Sequence, residues 1–423
     1  MNFLFIALLL SISSAHAKTH SLQETVIYAA QNSPKFQALQ LETDAARLNT
    51  DNARAKLFPK LNLNSSISAK DERPDITDDG LSSSATLSLS ANLYNNGEDF
   101  SAYRTTQTED TIKVVESARD RNQLVLDIII EFINYSKLSH FAQTQTLRSQ
   151  ILAAQFQRVT DRYRGGLETR SNFLRLQAQV KRSESDIKSA QAGIAISVEA
   201  LRGLTGVKDG DLSFEPLEIG WFRNSEDLTL PEVQQHYTYR LSLLNKELKR
   251  LQESQTHRQL WPLIFIDSEA KRTVSDGSNI NATTTTSAVT EWSLTVRLSY
   301  DLWDNGVLTR NRRLAQNQLQ TAELNLQSTE FETRALLRKI GVQLQQKSES
   351  YKLAQELLAI EQESFKTIEA DYRLGKIDYL DYITVFNDFL DAKNRLQETY
   401  LDYFETTATI QFHKGNLFNE WTK

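Results

Sequence analysis

The chain has 423 residues, 48 lysines and arginines against 54 acids, and a formal net charge of −6. So mild a charge excludes a nucleic-acid footprint. With no cysteine, disulfides, thiolate metal sites, a catalytic thiol and an acylated N-terminal cysteine are excluded, while 14 glycines and 6 prolines suit long helices.

Residues 1–17 read as a secretory signal. An apolar run from Phe3 to Leu10 is followed by Ala15-His16-Ala17, a small-x-small cleavage site that leaves Lys18 as the predicted mature start. The run is too short to span a bilayer, and no long apolar segment follows. Any membrane contact must therefore use strands.

Ser21-Leu22-Gln23-Glu24 is a capping box that opens a helix reaching about Leu57, with Asn32-Ser33-Pro34 breaking or kinking it early. After Pro59 the period becomes two. Leu61, Leu63, Ile67 and Ala69 alternate with Asn62, Asn64, Ser66 and Ser68; past a polar loop, Leu87, Leu89, Ala91 and Leu93 alternate with Thr86, Ser88, Ser90 and Asn92. These are two strands of about ten residues with one apolar face, long enough to cross a bilayer when tilted. From Gly97 to the Gly165-Gly166 pair there is no glycine or proline, which predicts a helix about 100 Å long. Only helical neighbours along its whole length can support such a helix. A linker, residues 207–230, precedes a second strand pair. There Ile264 and Ile266 alternate with Asp267, Glu269 and Lys271, and Trp292, Leu294, Val296 and Leu298 with Ser293, Thr295 and Arg297. A second long helical stretch follows.

The halves repeat each other. Tyr163-Arg164-Gly165-Gly166 returns as Tyr372-Arg373-Leu374-Gly375, Tyr94-Asn95-Asn96-Gly97 as Trp303-Asp304-Asn305-Gly306, and Gly206 as Gly415. The offset is 209 each time (372 − 163, 306 − 97, 415 − 206). Phe58-Pro59 returns as Trp261-Pro262 at an offset of 203 (261 − 58), so six extra residues lie in the second strand–loop–strand region. The repeat unit is half a molecule, not a solenoid module. It divides the chain into 18–206, 231–415 and a short C-terminal tail, 416–423.

Four strands cannot close a barrel that holds its own side chains, yet a sheet in lipid must close. Several chains must share one barrel, and three would give twelve strands. Phe58, Tyr94, Trp261 and Trp303 take equivalent places at the strand ends and read as an interfacial girdle. The competing reading is a secreted or periplasmic coiled-coil structural protein with a small soluble sheet.

These motifs together resemble the TolC-like outer-membrane channel family. The match runs through Asn32-Ser33-Pro34, LFPKLNL, LSLSANLYNNG with its echo LTVRLSYDLWDNG, and YRGGLETRSNFL with its echo YRLGKIDYLDYI. The resemblance implies a mainly α chain with a membrane β-barrel, three copies forming a twelve-stranded barrel and a long periplasmic helical barrel. It implies a passive outer-membrane exit duct for efflux or type I secretion, partnered by a periplasmic adaptor and an inner-membrane pump or ABC transporter. The tips Tyr163, Arg164, Gly165, Gly166, Tyr372, Arg373, Leu374 and Gly375 are then the adaptor-docking end. Asp381, Thr384, Asp388 and Asn172 lie at the periplasmic aperture. Thr384 stands where a second acid is common, Ile377 where an arginine is common, and Asn172 where an acid is usual.

No enzyme site, cofactor or metal site is expected: the six histidines lack ligand spacing and LRGLTG lacks a phosphate-loop ending. Asp378, Asp381, Asp388, Asp391, Glu398, Asp402 and Glu405 share an arc of roughly 180° on one helix, either a negative tunnel lining or a solvated outer face. Asn281-Ala282-Thr283 matches a glycosylation sequon by chance.

Overall fold

The computed structural model describes residues 18–70, 80–207, 212–220, 229–259, 261–278, 284–377 and 379–422. The signal segment, Asp378 and the sequon lie outside them.

Strand β1 (Lys18–His20) leads into helix α1 (Leu22–Asn32). The capping box forms: Ser21 Oγ accepts from the Glu24 N–H at 3.3 Å, and Glu24 Oε2 accepts from the Ser21 N–H at 3.1 Å. Helix α1 stops at Ser33, in extended backbone, and Pro34 opens α2 (Pro34–Ala55), where its missing N–H costs nothing. Then follow β2 (Lys60–Lys70), β3 (Gly80–Asn95), α3 (Glu98–Arg164), α4 (Arg170–Thr205) and β4 (Leu212–Phe214). A 3-10 turn (Val233–Gln235) precedes α5 (Tyr237–Arg258), β5 (Leu263–Ser278), β6 (Thr284–Ser299), α6 (Val307–Arg373), α7 (Tyr379–Lys414) and α8 (Leu417–Trp421). Among the described residues no helix is long and apolar enough to cross a membrane.

The duplication is visible in the backbone. Helices α2 and α5 each have 22 residues, α3 and α6 each 67, and α4 and α7 each 36. Apart from Gly220 in the linker, positive φ among the described residues occurs in matched pairs: Asn96 and Asn305, Gly97 and Gly306, Gly166 and Gly375, Gly206 and Gly415. Each pair keeps the same sequence offset. Even the helix starts correspond. Asp304 carboxylate oxygens accept from Gly306 N–H at 2.9 Å and Leu308 N–H at 2.6 Å, and Asn95 Oδ1 faces the Asp99 N–H at 3.5 Å. Those two backbone donors, Leu308 first, hold Asp304 below the usual carboxylate range.

Two compact bodies cut across the repeats. One comprises the chain up to Gln40, Ala118–Tyr237 and Thr333 onward; the other comprises Leu41–Ser117 and Thr238–Glu332. The first holds the main core: Leu22, Val26 and Ala29 of α1 meet Val125, Ile129 and Phe132 of α3, Leu201 of α4, and Leu401 and Phe404 of α7. The linker is part of this core. Its β4 pairs in parallel with β1; Phe214 and Leu217 are buried, and the Leu217 N–H donates to Ser136 Oγ at 3.0 Å. The C-terminal tail is not loose either. Leu417 and Trp421 of α8 are buried, and the Phe418 N–H donates to Asn122 Oδ1 at 2.8 Å. An amphipathic pair one helical turn apart suffices to bury so short a helix.

The second body holds a four-stranded antiparallel sheet in the order β2-β3-β5-β6. Three of its strands have 16 residues, longer than the ten expected, because pairing continues through the polar ends of both hairpins.

Candidate functional site

Residues opposed in an antiparallel pair share a face, so the register sorts the sheet into rows. One face carries Ile264 and Leu298, then Ala91, Ile266 and Val296, then Leu61, Leu89, Ser268 and Leu294, then Leu63, Leu87, Ala270 and Trp292. Leu61, Leu63, Leu87, Leu89, Trp292, Leu294, Val296 and Leu298 are exposed, Leu63 by 73% and Trp292 by 74%, and Ala91, Ile264 and Ile266 are half-buried; this is the arrangement a barrel presents to lipid. The other face carries Asn62, Ser88 and Glu269, and Phe265 with Arg297.

Strict alternation would put Tyr94 on the polar face with Ser90 and Asn92. The register shifts between Asn92 and Tyr94, making Leu93 a bulge residue, and Tyr94 stands opposite Ile264. The bulge re-aims the ring to the apolar face. Leu93, expected to share the apolar face with Leu89, is the unpaired extra residue. Phe58 and Trp261 lie in the turns before β2 and β5, both exposed. Trp303 lies beyond β6, which ends at Ser299 opposite the first residue of β5. Past that point its own chain offers no pairing strand, so Trp303 ends a loop and its Nε1–H donates to Asn305 Oδ1 at 2.9 Å.

Both hairpin tips close with one turn chemistry. After α3, the Leu167 N–H donates to Arg162 O at 2.8 Å and the Gly166 N–H to Tyr163 O at 3.1 Å. After α6, the Lys376 N–H donates to Asp371 O and the Gly375 N–H to Tyr372 O, both at 3.0 Å. These are paired Schellman closures, with φ +71° at Gly166 and +72° at Gly375. Arg164 and Arg373 end their helices, where a cation meets the negative end of the helix dipole. Gly165 and Leu374 complete the turns. Each tip is fastened by an aromatic stack that sequence reading missed: Tyr163 on Phe173 with centroids 5.0 Å apart, and Tyr372 on Tyr382 at 4.7 Å. Phe173 and Tyr382 also sit at the repeat offset, so aligning the halves beyond the glycines would have found them.

Asn172 and Asp381 are each the third residue of their helices, α4 and α7. Asn172 is engaged: its backbone N–H donates to Thr169 Oγ1 at 3.2 Å and its side-chain amide to Glu168 at 2.9 Å. That amide, the Thr169 N–H and Arg162 hold the Glu168 carboxyl below its usual range. Asp381, Thr384 and Asp388 are exposed along one face of α7. Further along, the acidic stripe is neutralised. Arg148 lies 2.5 Å from Asp391. Lys137 and Lys347 each lie 2.6 Å from Asp402, and Lys137 is 3.8 Å from Glu405. Burial raises the Asp402 carboxyl, and the two ammonium groups outweigh that and hold it below its usual range. Of the acidic arc, Asp391, Asp402 and Glu405 face basic partners, while Asp381, Asp388 and Glu398 are exposed.

The repeats differ at the joint where α2 and α5 begin. In the first, Ser33 Oγ donates to Leu204 O at 2.9 Å. In the second, His236 Nε2 and His413 Nδ1 share a hydrogen bond of 2.9 Å between stacked rings. Burial, and then the neighbouring His236, push His413 down to about 4, and burial lowers His236. An unfolded imidazole titrates near 6.5, so as pH falls the unfolded chain takes up protons first. The stability of the neutral pair is therefore complete above pH ~6.5, falls through that window, and is exhausted below about 4. After discounting for solvent screening, the loss should be about 1–2 kcal/mol. The thermal unfolding temperature of the wild type should fall as pH drops across this range. In His236→Ser/His413→Leu, which copies the first joint, the dependence should flatten; an unchanged slope would place the titrating groups elsewhere.

The family model described as outer membrane efflux protein matches residues 27–207 and 244–413. The chain is 22% identical over 428 residues to Outer membrane protein TolC of Escherichia coli (strain K12), covering 98% of this chain and 86% of that protein. Among solved structures, the Campylobacter jejuni CmeC outer membrane channel aligns with TM-score 0.79 and 14% identity, covering 95% of this chain and 89% of that one. The open-state Neisseria gonorrhoeae MtrE outer membrane channel aligns with TM-score 0.71 and 15% identity, covering 95% and 90%. This chain belongs to the outer membrane efflux protein family. It is a trimeric outer-membrane channel with a periplasmic helical barrel, a passive duct rather than an enzyme, and it works with efflux-pump partners. That assignment sets aside the coiled-coil structural reading.

Proposed function

We propose that the two tips dock a periplasmic adaptor, and that through it the duct serves an inner-membrane pump or ABC transporter. The duplicated, aromatic-stapled Schellman turns carry this reading. They give one chain two ends with the same backbone turn, each exposing a leucine, Leu167 one residue after its glycine and Leu374 one residue before, suited to a repeated partner motif. The aperture beside them is formed by Asp381, Thr384 and Asp388 of α7 with Asn172 of α4. Three copies of Asp381 around the threefold axis repel one another and hold a multivalent cation between them. Thr384, lacking a charge, makes this ring weaker than a double ring of acids.

Purified trimers in a planar bilayer should accordingly conduct cations in preference to anions. A trivalent cation at millimolar level on the periplasmic side should block them. Asp381→Asn should relieve that block, and Asp388→Asn should relieve it less. Undiminished block in Asp381→Asn would move the cation elsewhere on α7, and anion selectivity would remove the negative lining.

A further inference from the structure

Within the first compact body α3 packs on α7. Polar contacts fix the register: Lys137 lies 2.6 Å from Asp402, His140 Nε2 lies 2.8 Å from the Gln397 amide, and Arg148 lies 2.5 Å from Asp391. Beside them Ile133 of α3 and Ile383, Leu401 and Phe404 of α7 are buried. Helix α4 lies on the other side of α3, where Ser183 Oγ donates to Gln145 O at 3.4 Å. Helix α6 lies on the other side of α7, where Lys347 reaches Asp402 at 2.6 Å. So α4 and α6 are the two flanks of this body.

The flanks repeat the partners in the middle. Helix α6 repeats α3 and α4 repeats α7, each at the offset of 209 (307 − 98, 379 − 170). Their faces are nevertheless bare. Val342, in the place of Ile133, is 68% exposed, and Leu174, in the place of Ile383, is 48% exposed. Carried across by the offset, His140 and Gln397 become Glu349 and Lys188 (140 + 209, 397 − 209). Arg148 and Asp391 become Leu357 and Arg182 (148 + 209, 391 − 209), with Glu356 next to Leu357. Glu349, Glu356, Lys188 and Arg182 are all exposed. Among the described residues none of them has an ion-pair partner in its own chain; Glu349 only accepts from the Gln345 amide at 3.0 Å.

We propose that the α6 face of one copy of this chain receives the α4 face of the next in the α3–α7 register, pairing Glu349 with Lys188 and Glu356 with Arg182. Val342, Leu353 and Ile360, each more than 60% exposed on α6, supply apolar contact. The charges select register and partner. Acids stand on one flank and bases on the other, so the contact runs head to tail, as closure into a trimer requires. The sign is also opposite to that inside the chain, where the base is on α3 and the acid on α7. A neighbour's α4 that displaced α7 from α3 would set Arg182 against Arg148, and a neighbour's α6 on α7 would set Glu356 against Asp391. That repulsion keeps the seam between copies distinct from the seam within one.

The chain has no cysteine, so Glu349→Cys/Lys188→Cys puts one thiol on each flank of every copy. In purified trimers a short bismaleimide should join these thiols between copies, giving covalent dimers and trimers on a denaturing gel. Glu349→Cys/Lys181→Cys moves the second thiol about 10 Å along α4 and should give few. A second measurement reads the charges. Glu349→Lys and Lys188→Glu should each lower the temperature of trimer dissociation at low salt. The double exchange should stand above both, and molar salt should narrow the differences. The seam is overturned if the 349/188 pair is not joined in intact trimers, if the 349/181 pair is joined equally well, or if the double exchange is no more stable than the singles. Each of these results leaves the trimer itself in place and moves its contact to other faces.

Discussion

Leu89→Arg should sharply reduce the yield of assembled trimer, while Ser88→Arg should leave it near wild type. The two residues are neighbours on β3, so local strand propensity is the same for both. They differ in face: Leu89 shares a row with Leu61, Ser268 and Leu294, and Ser88 stands opposite Asn62 and Glu269. A cation on the lipid side near the bilayer midplane costs about 2–4 kcal/mol, and a lumen-facing one is solvated. Each trimer pays this three times, so folding in the membrane should fail before the duct can be assayed. Heat-modifiable migration of membrane extracts reads the outcome, and equal trimer yields from the two variants would reverse the face assignment.

Export should be lost in Gly375→Leu while trimers still reach the outer membrane. The position has φ +72° and nothing within 4 Å of an added Cβ. The substitution therefore carries only the left-handed strain of about 1–2 kcal/mol, confined to the turn after α6. The surface of the turn changes and the core does not. Gly415→Leu is the useful contrast: φ is again positive, at +80°, but an added Cβ would lie 2.9 Å from the Tyr237 hydroxyl. That hydroxyl also donates to Gly415 O at 3.2 Å and accepts from the Asn122 amide at 2.9 Å. Gly415→Leu should lower trimer yield itself. Normal export by Gly375→Leu would show that the adaptor does not use this turn.

Much of the architecture was legible because duplication and alternation act over many residues. The offset of the Tyr-Arg-x-Gly motifs predicted two turns, and both carry the same backbone. The period of two predicted the sheet faces, and the registers agree for Leu89, Val296 and Leu298 against Ser88 and Arg297. What escaped depends on partners far apart in sequence. Leu93 looks like an ordinary apolar strand residue, and only its pairing with β5 makes it a bulge. Asp402 fits the acidic stripe, yet Lys137 and Lys347 reach it from α3 and α6. Trp421 and Leu417 looked like the end of a tail because their pocket joins α7 residues such as Phe404 to α1 and α3 residues hundreds of positions earlier. Near the tips the repeat offset put Asn172 and Asp381 at equivalent points, and the capping of α4 by Thr169 became visible only with the backbone.

The equality of helix lengths has a consequence for symmetry. With matched turns and helices in both halves, three chains supply six nearly identical hairpins, so the scaffold of the tunnel is quasi-sixfold. The exposed side chains are not. On α4 the sequence of the face is Asn172, Arg175, Arg182; on α7 the equivalent places hold Asp381, Thr384, Asp391. Side-chain chemistry therefore alternates around a ring whose backbone does not. One hairpin type can change the chemistry of the passage while the other keeps its own, an arrangement closed to an assembly of six copies of a single half.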